Sequence, residues 1–132
     1  FPTDEVREFV EETVTDGRAN QPVRLTMVEL LLDWGDPQSI DLLKEVMQQE
    51  WQEENSRLLD HLCKEASRRE DAALEPLYEQ MLTHSNFIIR IYGARGIARN
   101  GLTEYREELE ALTQEGHHPA LRQNVQRALE EL

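Results

Sequence analysis

One pattern of apolar and small residues comes back four times along the chain. Val23, Asn55, Ile89 and Leu121 each open a stretch with helical spacing, and they stand 32, 34 and 32 residues apart. In the clearest copy Ile89, Gly93, Gly96 and Ile97 fall at offsets 0, 4, 7 and 8, which is one face of an α-helix. A second series lies between these stretches, with Val6, Ile40, Leu74 and Tyr105 separated by 34, 34 and 31 residues. A helical hairpin cannot hide its apolar face alone. Four such pairs placed side by side share one interior, and that is the physical reason for a recurrence of this length.

The punctuation agrees with this reading. Thr3-Asp4 can cap a first helix carrying Val6, Phe9, Val10 and Val14 inward, and Asp16-Gly17 breaks it. Asn20-Gln21-Pro22 opens a second helix, where proline is tolerated in the first turn, with Val23, Met27, Leu30, Leu31 and Trp34 inward. Asp36-Pro37 starts a third, with Ile40, Leu43 and Met47 inward. A fourth puts Leu59, Leu62, Cys63 and Ala66 on one side. Leu74, Leu77, Tyr78 and Met81 then lead into the Asn86–Gly101 stretch, where Asn100-Gly101 is a stop signal. Tyr105, Leu109 and Leu112 form a seventh face. Leu121, Val125, Ala128, Leu129 and Leu132 form the eighth. No segment alternates long enough to be a strand. The expected fold is all-α, with eight helices in a single domain over residues 1–132 and units near 3–35, 36–68, 70–101 and 102–132. The polar outer face of the last helix reads as a terminal cap. Because the chain opens on Phe1-Pro2 rather than methionine, we expect a domain of a longer protein.

Arg24, Arg90 and Arg122 follow the first inward position in three of the four copies; the second copy has Ser56, with Arg57 one place late. Val-Arg or Ile-Arg opening the second helix, small residues one turn on, and a glycine behind the helix resemble the HEAT-repeat family. The segments PVRLTMVELLLDWGD and FIIRIYGARGIARNG carry most of the likeness. It implies a right-handed α-solenoid of four hairpins whose second helices line the concave side. Where the family carries an aspartate before the second helix, this chain has Asn20, Asn86 and His118.

Spacing then names the residues that point away from the interior. At about 100° per residue, offsets 3, 6 and 10 lie opposite the inward stripe. They read Thr26, Leu58, Tyr92 and Asn124, then Glu29, His61, Arg95 and Arg127, then Asp33, Glu65, Arg99 and Glu131. The series passes from acidic to basic. Residues 1–66 hold 16 acids and 6 bases, and residues 67–132 hold 11 acids and 8 bases. Tyr92, Arg95, Arg99 and Arg127 are the main candidate contact residues for a protein or peptide, with His61, Glu29 and Asp33 further along the same surface. Arginines beside a tyrosine suit a carboxylate or an aromatic group.

A net charge of −13 opposes binding to a nucleic-acid backbone or an anionic membrane surface. The longest apolar runs are too short to span a bilayer. His61 and Cys63 are two residues apart and point to different sides of a helix, and His117-His118 lacks partners at ligand spacing, so no metal site is expected. No phosphate-cradling glycine loop, zinc-protease motif or nucleophile beside a base is present, and no cofactor is expected. The His-Glu pairs of iron-binding relatives of this repeat class are also absent. The one cysteine, Cys63, sits on an apolar face as a small hydrophobe, which fits a reducing cytoplasm. A non-catalytic protein-binding scaffold follows as the first expectation. A regulatory or lyase-like domain needing a partner or cofactor is the second, and a structural spacer the third.

Overall fold

The computed structural model describes residues 3–132, and all the regular structure among them is helical. Eight α-helices follow in order: α1 (Asp4–Thr15), α2 (Gln21–Trp34), α3 (Pro37–Glu50), α4 (Arg57–Ser67), α5 (Glu75–Leu82), α6 (Phe87–Arg99), α7 (Arg106–Ala111) and α8 (Pro119–Glu131). Single 3₁₀ turns, Ala72–Leu74 and Thr103–Tyr105, lead into α5 and α7. Contacts divide the chain into two compact units, Phe1–Leu62 and Cys63–Leu132, and α4 runs through the division.

In the first unit α1, α2 and α3 pack on one another. The Thr3 hydroxyl caps α1 by accepting from the Val6 N–H, and Gly35 ends α2 in the left-handed region (φ 62°), where a side chain would be strained. Proline stands in the first turn of both α2 and α3, where its missing N–H removes no helical bond.

Two inward faces differ from the sequence expectation. In α2 the buried residues are Arg24, Val28, Leu31 and Leu32, whereas Val23 is 39% exposed and Met27, Leu30 and Trp34 are half-buried. The helix is turned by about one residue, or 100°. It is apolar on most sides, so two phases bury similar hydrophobic area, and the placement of Arg24 separates them. In α1, Val10 and Val14 are buried but Val6 and Phe9 are exposed, Phe9 at 58%. Arg7 takes the inward place at that end. Its guanidinium lies over the Trp34 ring, 5.0 Å from the centroid, pairs with Asp36 at 3.2 Å and donates to the Ser39 hydroxyl. Burial works against the Asp36 charge, but the Ser39 hydroxyl and Arg7 together hold its carboxyl below its ordinary value. In α3 the expected Ile40, Leu43 and Met47 are buried, joined by Leu42 and Val46.

The second unit is built around α6, which packs on α5 and on α8, while α7 packs on α8. Leu74, Leu77, Tyr78, Met81, Ile89, Ile97, Tyr105, Leu109, Leu121 and Val125 are all buried, as their spacing requires. Two glycines set how closely α5 approaches α6. A Cβ at Gly96 would lie 2.2 Å from the Tyr78 ring, and one at Gly93 would lie 2.9 Å from the Met81 Cβ. The Tyr78 ring therefore lies directly against α6 backbone. Its hydroxyl donates to the Ala66 carbonyl at 2.7 Å and accepts from the Asn100 amide at 3.2 Å. Burial pushes the Tyr78 phenol up to about 12. Tyr105 is raised too, first by burial and then by donating to the Glu75 carboxylate at 2.8 Å.

Candidate functional site

The recurring arginine has a repeated structural use. In α2 the Arg24 Nε and Nη2 donate to the Val14 carbonyl at 3.1 and 2.9 Å, and Nη1 reaches Glu50 at 3.4 Å. Arg90 Nε in α6 donates to the His84 carbonyl just past α5. Arg122 Nε in α8 donates to the Thr113 carbonyl just past α7, at 3.0 Å. In each case a second helix sends its guanidinium back to an unpaired carbonyl at the C-terminal end of the first helix of its own hairpin. That places a cation at the negative end of the helix dipole. The caps recur as well: Asn86 Oδ1 accepts from the Ile88 N–H and His118 Nδ1 from the Ala120 N–H. The second copy departs where the sequence departs. Ser56 caps α4 through the Leu59 N–H, Asn55 adopts φ 61°, and Leu58, expected on the outer side, is fully buried.

With Arg90 and Arg122 engaged inside their hairpins, the other arginines of α6 and α8 are left for the surface. α6 is buried on every side but one. The open strip is Ile88, Tyr92, Arg95 and Arg99, at spacings of 4, 3 and 4; Ile88 is 41% exposed, Tyr92 half-buried and both arginines exposed. Two contacts set α8 beside this strip. The Phe87 and His118 rings stack at 3.8 Å with 5° between planes, and Arg95 Nη2 donates to Asn124 Oδ1 at 2.9 Å. Both link α6 to a residue about thirty further on, the cap of α8 or α8 itself, so the two helices run parallel, and Arg127 lies level with the interval between Arg95 and Arg99. The Asn124 amide donates to the Ala120 carbonyl at 2.8 Å, which turns its oxygen towards Arg95. Arg99 Nε donates to the Ser67 carbonyl at 3.0 Å.

Each of these contacts is to a neutral acceptor. Among the described residues no carboxylate lies within ion-pair distance of Arg95, Arg99 or Arg127. Arg127 instead lines a shallow groove along α8 with Pro119, Arg122, Gln123, Gln126 and Glu130. The remaining sequence candidates belong to the first unit. Glu29 and His61 come together, with carboxylate oxygen and Nε2 3.5 Å apart, an ion pair only when the imidazole is protonated, and Asp33 is exposed on α2.

Spacing alone leaves out one residue of this surface and gives no role to another. Ile88 falls outside the three chosen offsets, although it lies within about 20° of Arg95 around the helix. Asn124 is at a chosen offset, but only the hydrogen bond to Arg95 gives it a role. Among the described residues no three His, Cys, Asp or Glu side chains are placed to hold a metal ion, and no helix is long and apolar enough to cross a membrane. No protein-family model matches the chain, and no curated protein matches it.

Proposed function

We propose that the chain is a HEAT-like helical-repeat module, a right-handed α-solenoid of four hairpins, that binds a protein or peptide on the surface of its second helices and catalyses no reaction. The observation that carries this reading is the division among its arginines. Those that recur, Arg24, Arg90 and Arg122, close their own hairpins. The outward ones, Arg95, Arg99 and Arg127, stand on the second-helix surface with no carboxylate within ion-pair distance among the described residues, although acids outnumber bases 27 to 14. Repeat modules offer long surfaces of side chains on rigid elements, which suits recognition of another chain.

The test is affinity capture from the source cells with the parent protein and with Arg95→Ala/Arg99→Ala. Both substitutions lie on an exposed strip and leave the hairpin clamps intact. A partner held by the parent and lost by the double variant is the expected result. Equal capture of the same partner by both proteins overturns the assignment of the surface.

A further inference from the structure

We infer that the partner presents an acidic segment, and that this segment lies along the α6–α8 seam with its carboxylates on Arg95, Arg99 and Arg127 and an apolar residue on Ile88. The inference rests on the protein-binding reading above and gives that partner a chemistry.

The strip has two ends of different character. Ile88 is an exposed aliphatic side chain at the start of α6, with the Phe87–His118 stack beside it. Arg95 and Arg99 occupy the other end, with Arg127 alongside on α8. From Ile88 to Arg99 the helix rises about 16 Å, at about 1.5 Å per residue. An extended chain covers that distance in about five residues. The matching ligand therefore carries an aliphatic or aromatic side chain followed, within about five residues, by two or three glutamates or aspartates.

Charge decides against the opposite polarity. The guanidinium is a planar fork that pairs with a carboxylate through two parallel hydrogen bonds. Asn124 holds Arg95 by one amino group, and Ser67 holds Arg99 by its Nε. Both side chains are thus oriented while donors remain for a ligand. A single exposed ion pair contributes little, so binding needs several at once, and three arginines along one seam supply them. The net charge of −13 repels an acidic ligand at long range. At physiological salt the screening length is only about 8 Å, so charges in contact outweigh the distant ones.

Fluorescence anisotropy on the whole chain tests the inference with three short labelled peptides, each a leucine followed by a run of glutamates, glutamines or lysines. The glutamate peptide should bind tightest. Its affinity should fall about tenfold or more in Arg95→Glu/Arg99→Glu, as expected for reversing paired charges at a contact. It should be unchanged in Arg18→Glu/Arg106→Glu, which alters net charge equally at exposed sites off the strip. Circular dichroism of the variants separates loss of binding from loss of fold. Glutamate and glutamine peptides of equal affinity, or an acidic peptide indifferent to Arg95→Glu/Arg99→Glu, overturn the acidic-partner inference. If the lysine peptide binds the strip instead, the partner's polarity is wrong while the protein-binding surface stands. If no peptide binds and captured protein is indifferent to Arg95→Ala/Arg99→Ala, both fall.

Discussion

At the scale of single residues, Gly96 and Tyr78 carry more of the second unit than their sizes suggest. A mid-helix glycine costs about 1 kcal/mol relative to alanine, so on an open helix Gly96→Ala would stabilise. Here the added methyl would sit 2.2 Å from the Tyr78 ring, and overpacking of this kind costs about 1–3 kcal/mol. The overlap is with a ring fixed by hydrogen bonds at its far end, so the clash outweighs the propensity. Gly96→Ala should lower the midpoint of thermal unfolding, and a rise would show that α5 can move away freely. The Tyr78 phenol gives a pH dependence of definite sign. Its folded pKa is raised to about 12 from an ordinary value of 10.0. Its contribution is complete below pH 10.0 and is lost as pH rises towards 12. Tyr78→Phe should cost about 1–2 kcal/mol at neutral pH, because the Ala66 carbonyl loses its donor. It should also lessen the fall in stability between neutral and strongly alkaline pH, measured by urea unfolding across that range.

At the scale of helices, three pairs, α1–α2, α5–α6 and α7–α8, are each closed by an arginine of the second helix. The clamps differ in depth. Arg24 is 4% exposed and has the Val14 carbonyl and Glu50 as partners, whereas Arg122 is half-buried with one carbonyl. Removing one partner of a buried pair strands the other, at about 3–5 kcal/mol, and loss of a neutral hydrogen bond costs about 1 kcal/mol. Arg24→Met should therefore destabilise by about 3 kcal/mol and Arg122→Met by about 1 kcal/mol in denaturant titrations; equal losses would contradict the assignment. This scale also marks what could be read in advance. The helices, their stops and the inward faces of α5, α6, α7 and much of α8 follow from periodicity, because each is apolar on one side or carries glycines there. The phase of α2 and the N-terminal half of α1 do not follow. In both an arginine takes an inward place, and periodicity counts arginine as outward. The use of Arg24, Arg90 and Arg122 as clamps needs coordinates, since a carbonyl acceptor leaves no trace in sequence. The exposed arginines of α6 were legible from spacing. Their shared seam with Asn124 was not, because it depends on α6 and α8 running parallel.

For the molecule as a whole, the question is which surface meets a partner. The charge balance places the protein among acidic chains, and the positive strip on α6 and α8 is a local exception that spacing exposes and neutral hydrogen bonds hold in position. A surface of this kind predicts where a bound chain must lie, which substitution experiments report only indirectly. A photo-crosslinking side chain at Gln123, exposed on α8 in the same groove as Arg127, compared with one at Glu108 on the exposed side of α7, reports it directly and leaves every contact arginine in place. Irradiated in source-cell extract, the probe at position 123 should yield a discrete adduct with the captured partner and the probe at position 108 should not. Adducts of equal yield at both positions, or at 108 alone, would contradict recognition along the second helices.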